Sequence, residues 1–74
     1  KTMDLPNLSA EKAEALLKKL GGGVVEKHKV VEGIGWKTTI LPVNDGVQIE
    51  FNAHDELLED LLRRFEEMVE KALS

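Results

Sequence analysis

Residues 52–73, NAHDELLEDLLRRFEEMVEKAL, constrain this chain more than any other stretch. On a helical wheel Leu57, Leu58, Leu61, Leu62, Phe65, Met68, Val69, Ala72 and Leu73 fall in one continuous sector, and every charged residue falls outside it. The pattern is an amphipathic helix whose apolar sector is wider than one contact surface needs. It has to be cradled on two sides, by a sheet and a second helix or by a second copy of the protein. Phe65 lies at the centre of the sector. Leu57, Leu61, Met68 and Ala72 form one margin, and Leu58, Leu62, Val69 and Leu73 form the other; one of them is expected to meet a second helix.

The middle of the chain supplies the sheet. Residues 24–32 are valine-rich, Gly33-Ile34-Gly35 reads as a turn, a second strand runs from Trp36 to Leu41 or Val43, and a third from Val47 to Phe51. Asn44-Asp45-Gly46 is the strongest hairpin signal present. A two-residue turn at Asp45-Gly46 puts Ile40 beside Phe51 and collects Trp36, Thr38, Ile40, Val47, Ile49 and Phe51 on one face. Lys37, Thr39, Leu41, Val43, Gln48 and Glu50 take the other. A slip of one residue would turn Lys37 inward and send the only tryptophan to water. Burying an unpaired lysine costs several kcal/mol and exposing a tryptophan forfeits ~2–3 kcal/mol, so the first register is favoured. The same preference turns Lys27 and Lys29 outward. It leaves Val24, Glu26, His28 and Val30 on the inner side of a first strand that is expected to lie at an edge.

Before the sheet comes a shorter helix. Ser9 is its N-cap, Glu11 suits its first turn, and Leu8 is placed to staple against Ala13. Ala10, Ala13, Leu16, Leu17 and Leu20 form a narrow stripe, Lys18 and Lys19 suit the C-terminal dipole, and Gly21-Gly22-Gly23 ends the helix. A phosphate-binding glycine loop lies between a strand and a following helix, whose N-terminus provides the amides. Here the glycines follow a helix and lead into a strand, so they cap and link. Residues 1–7 read as an extended lead-in, with Lys1-Thr2-Met3 taken as a trimmed end before a start at Met3. Residues 8–74 are expected to form a single α+β domain: helix, three-stranded antiparallel meander, helix, both helices on one face.

A chain of 74 residues is near the lower size limit for an independent core, burying roughly 60% of its unfolded surface. Without cysteine it has no disulfide or thiolate metal site to add stability, so packing or self-association has to supply it. No apolar run approaches a membrane span or signal-peptide core, and the expected location is the cytoplasm. The formal net charge is −4, and its distribution decides more than its sum. Residues 52–74 carry three bases against seven acids, whereas residues 1–20 carry four lysines against three acids. An acidic domain is a poor starting point for binding phosphate backbones.

Candidate sites are few. His28 and His54 lie far apart with no further ligand at metal spacing. His28 is the better functional candidate, since a strand histidine beside Glu26 is able to act as a general acid or base. Asp55, Glu56, Glu59 and Asp60 suit the positive end of the long helix, with Asn52 as N-cap and Glu59–Arg63 and Asp60–Arg64 as pairs, rather than a cation site. Lys27, Lys29 and Lys37, if all outward, make a basic stripe next to Leu41 and Val43 on the open sheet face, a usable binding surface. Solubility alone also accounts for it. No catalytic residue, metal ligand or cofactor motif is assigned.

The order helix, three-stranded meander, helix resembles that of double-stranded RNA-binding domains, and some small toxin ribonucleases share the layout. Those RNA-binding domains grip phosphate with a lysine-rich start to the second helix, where this chain has Asp55, Glu56, Glu59 and Asp60. The toxins use a strand histidine in a Gly-Ser-His setting, whereas His28 lies in Glu-Lys-His-Lys-Val. Neither function nor residue carries over. The favoured expectation is a small, soluble, non-catalytic domain for protein interaction or self-association, with a homodimer as its simplest form. The alternative is a nucleic-acid binder using Lys27, Lys29 and Lys37, and a small nuclease centred on His28 ranks third.

Overall fold

In the computed structural model, which describes residues 1–73, the element order is β1 (Thr2–Pro6), α1 (Ala10–Lys19), β2 (Gly23–Glu26), β3 (Val30–Gly33), β4 (Trp36–Val43), β5 (Gly46–Ala53) and α2 (Asp55–Leu73). The strands form one antiparallel sheet in the order β1-β5-β4-β3-β2, and both helices pack on the same face. The α+β class stands. The three-stranded meander does not: the sheet has five strands, and each extra strand has an identifiable cause.

The first comes from the lead-in. Thr2 lies opposite Glu50 and Leu5 opposite Val47, so β1 extends the sheet beyond β5. Met3 and Leu5 alternate with polar neighbours and join the core side, where Leu5 is buried. Five residues are too short for a period of two to stand out. Pro6 argues against a central strand, but β1 is an edge, where proline is tolerated.

The second comes from splitting residues 24–32 into a hairpin. Glu26 faces Val30 across a loop of Lys27, His28 and Lys29, with a bulge between Val24 and Glu26. The Lys29 N–H closes the turn on the Glu26 carbonyl at 3.0 Å, and His28 takes the left-handed conformation at φ 60. No glycine, proline, asparagine or aspartate marks this turn, so composition gives no sign of it. A continuous strand would have turned Glu26 and His28 inward. The bulge and turn remove that cost: Glu26 is exposed, and Val31 rather than Val30 enters the core.

In β4 and β5 the facing follows the alternation, with Trp36, Thr38, Ile40, Val47, Ile49 and Phe51 buried. The pairing is shifted. The turn is Asn44-Asp45, Val43 faces Gly46, Ile40 faces Ile49, and Phe51 faces Thr38. A shift of two residues preserves every side chain's face, so the energetic argument for the faces holds while the partners change. Gly46 is withdrawn from the turn because β1 needs it. A Cβ there would run into the Leu5 carbonyl oxygen and stand 2.9 Å from Pro6 Cα.

Ser9 caps α1 by accepting from the Lys12 N–H at 3.1 Å. At the other end Gly21 has φ 104, the Gly21 N–H reaches the Lys18 carbonyl and the Gly22 N–H the Leu17 carbonyl, a Schellman closure. The indole of Trp36 then lies over two glycines, Gly33 in its own hairpin and Gly22 at the end of α1. Helix α2 begins at Asp55, not at an Asn52 cap. Asn52 is in β5 opposite Lys37, and the His54 carbonyl accepts from the Leu57 and Leu58 N–H groups. The hydroxyl of Thr38, among the described residues the one polar side chain in the core, donates to the Val31 carbonyl at 2.9 Å.

The wide sector of α2 is covered within the chain at its centre. Leu61, Leu62, Phe65 and Val69 are buried, and the Phe65 ring meets Phe51 edge-on at 5.5 Å. Met68 and Ala72 share a cleft with Leu16 of α1, so that margin is the one that meets the first helix. Toward the C-terminal end Ala72 and Leu73 are exposed.

Replacing Gly46 by alanine is expected to lower stability by about 1–3 kcal/mol, the usual cost of overpacking. Urea unfolding reads the loss as a lower midpoint with an unchanged slope, and hydrogen exchange should show it first at the Asn7 and Phe51 amides that hold β1.

Candidate functional site

With both helices on one side, the other face of the sheet is uncovered. Leu41 and Val43 stand on it at 47% and 51% exposure. Around them the ladder brings Asp4 beside Gln48, Thr2 beside Glu50, and Lys37 between Glu32 and Asn52. The Gln48 side-chain amide donates to Asp4 at 2.9 Å and that of Asn52 to Glu50 at 3.4 Å. The face is therefore a mixed surface with an apolar centre.

The expected basic stripe is dispersed. Lys37 is on the open face, with Glu32 as its register partner. Lys27 and Lys29 are in the β2–β3 loop, and the Lys29 carbonyl accepts from the Ile40 N–H, which places that loop at the opposite end of β4 from Lys37. Three lysines spaced along one flat strand would track a phosphate backbone; three lysines at two ends of a sheet, interleaved with Glu32 and Glu50, do not form that array. Of the five residues read as a binding surface, Lys37, Leu41 and Val43 share the open face of β4, whereas Lys27 and Lys29 leave the strand for a loop at the other end of β4 from Lys37.

The two edges differ. Along β1 the Lys1 carbonyl accepts from the Phe51 N–H and the Asp45 carbonyl from the Asn7 N–H, so odd-numbered residues bond into the sheet. Thr2, Asp4 and Pro6 turn their backbone groups outward. Proline has no N–H and Asp4 is charged, so this edge is blunted. On β2, Val24 and Val25 are exposed at 39% and 61%, and the bulge twists a strand only four residues long. Shortness and twist, rather than charge, limit pairing there.

The histidines part company. His54 is exposed at the start of α2. His28 is tied to α1 by Glu14: its backbone N–H donates to Glu14 Oε2 at 2.6 Å, and its ring Nδ1 lies 2.8 Å from the same oxygen. Nδ1 is sealed from solvent but off the axis of an aligned hydrogen bond, so the ring contact is electrostatic and the amide carries the directed bond. Glu26, the partner expected from sequence, is exposed at the base of the turn. Glu14 was invisible as a candidate because it pairs across 14 residues, from a helix to a turn that composition does not announce.

On α2, Asp60 takes both arginines, Arg63 at 2.9 Å and Arg64 at 3.7 Å. Arg63 thus pairs at i,i+3 rather than with Glu59. Asp55, Glu56 and Glu59 are exposed. Among the described residues no three histidine or carboxylate side chains gather as metal ligands would.

Two open depressions lie on the surface. One of about 430 Å³ lies where β1 meets the β4–β5 turn, lined by Leu5, Pro6, Val43 and Val47 with Asp4 and Asp45. It continues the apolar centre of the open face through Val43. The other, about 240 Å³, is the cleft between Leu16 and Lys19 of α1 and Met68, Lys71 and Ala72 of α2. In comparisons with known proteins, no family, no curated protein and no solved structure matches this chain.

Replacing Glu14 by alanine leaves the His28 amide without its acceptor. The expected cost is about 1.5 kcal/mol, the low end for a hydrogen bond to a charged group because the turn is partly exposed. Amide exchange in NMR should accelerate at His28 while the β4–β5 ladder stays protected.

Proposed function

We propose that this protein is a small non-catalytic interaction domain that associates with a protein surface, in its simplest form with a second copy of itself, through the uncovered sheet face. The observation that carries the reading is the apolar centre of that face. Leu41 and Val43 are about half exposed and side by side with the depression at the β4–β5 turn. Around them both signs of charge are present, Lys37 against Asp4, Glu32 and Glu50.

Mixed signs suit a protein partner. A surface of this kind is self-complementary under a two-fold axis, where a lysine of one copy finds a carboxylate of the other. A polyanion would meet Asp4, Glu32 and Glu50 on the same face, which favours protein over nucleic acid as the partner. The size of the domain points the same way, since one core of this extent leaves little stability in reserve and association adds to it by mass action.

The test is sedimentation velocity across a wide range of protein concentration, for the parent chain and for a Leu41→Lys, Val43→Lys double variant. Both positions are exposed, so the variant should keep the parent's unfolding free energy within about 0.5 kcal/mol. Association in the parent and its loss in the variant support the reading. A parent that stays monomeric throughout removes self-association, and association that survives both lysines rules out this face.

A further inference from the structure

The side chain with the least structural explanation is His28, and its setting differs from that of a histidine that merely closes a turn. A turn needing the left-handed conformation is normally built with glycine or asparagine, yet His28 holds φ 60 here. Its backbone N–H and its ring Nδ1 both face one carboxylate oxygen of Glu14, at 2.6 and 2.8 Å. Glu14 is itself largely covered, with its side chain 14% exposed, whereas the imidazole is 41% exposed. Because Nδ1 is sealed from solvent, the open part of the ring is the Nε2 edge.

That arrangement selects a tautomer. A neutral imidazole carries one proton, and a bare Nδ1 lone pair at 2.8 Å from a carboxylate oxygen would be repelled by it. In the neutral ring the proton therefore belongs on Nδ1, which leaves the lone pair on Nε2, away from Glu14. Lys27 and Lys29 flank this edge in the chain, and both are exposed. The carboxylates near it are Glu14, on the far edge of the ring, and Glu26 at the base of the turn. A ring nitrogen open on a turn that carries an exposed lysine on either side in the chain is a setting for a nucleophile toward an anionic electrophile.

We propose that His28 is a phosphoryl-acceptor histidine that reacts through Nε2 with a small donor of the phosphoramidate or acyl phosphate class. In the step with phosphoramidate the Nε2 lone pair forms the new N–P bond as the P–N bond of the donor breaks, and ammonia leaves with the bonding pair. Nδ1 keeps its proton, and the positive charge then carried by the ring faces the Glu14 carboxylate. Lys27 and Lys29 offset the charge of the incoming phosphoryl group. This is an acceptor site, independent of association through the open sheet face.

The test is incubation of the intact chain with phosphoramidate, followed by phosphorus NMR and by proton–nitrogen correlation to identify the histidine and the ring nitrogen modified. His54, exposed and with no carboxylate among the described residues holding its ring, is an internal reference that requires no variant. His28 should be modified at Nε2 about tenfold faster than His54, equivalent to ~1.4 kcal/mol of barrier. Glu14→Gln keeps an oxygen acceptor for the amide but removes the charge, and should bring His28 down to the rate of His54. Equal rates at the two histidines in the parent chain, modification at Nδ1, or an undiminished rate in Glu14→Gln would each overturn the proposal.

Discussion

The contact on which the rest of this fold depends is the edge-on meeting of Phe51 and Phe65, with ring centroids 5.5 Å apart and planes inclined by 64°. Phe51 belongs to the strand that holds both β1 and β4, and Phe65 is the middle of the longest helix. Aromatic pairs in this geometry add stability beyond the area they bury. Once the two rings engage, Leu61, Leu62 and Val69 reach the buried side of the helix, and the margin with Met68 and Ala72 turns toward α1. In a chain with one core and no crosslink, that contact decides where the second layer sits.

Trp36 supplies the matching constraint at the other end of the layer. Its indole rests on Gly33 and Gly22, so one side chain draws together the β3–β4 hairpin and the end of α1. Glycine matters at these positions for approach, since any side chain there would stand where the ring lies. The same reason places Gly46 under β1, where the limiting neighbour is backbone. Small residues are therefore spent on contacts between elements as well as on turns, and a glycine beside a turn signal does not have to be the turn.

How much of this is legible in the sequence depends on whether the signal is periodic or local. The faces of β4 and β5 can be read because alternation, the lone tryptophan and Lys37 all demand one arrangement. The pairing within them cannot, because a shift of two residues changes no face. The bounds of α1 are marked by Ser9 and by the glycines after Lys19. The β2–β3 turn is hidden because His28 does the work of an asparagine or glycine, and β1 is hidden because five residues show little period. Of the candidate surface, Leu41 and Val43 follow from the β4 alternation. The lysine stripe fails because it assumed that residues 24–32 were one strand. Glu14, which gives His28 its setting, is a long-range partner that no local pattern announces.

The sheet order has a consequence for synthesis. Among the described residues the strand beside β1 is β5, with Thr2 opposite Glu50 and Pro6 opposite Gly46. Within this domain a ribosome delivers β1 before the other strands and β5 after them, so β1 stays unpaired while the meander from β2 to β4 is already able to close on neighbours in the chain. The sheet is completed by admitting its earliest-made strand last. Once β5 is made and until its own β1 docks, that flank of β5 is open to the β1 of another copy.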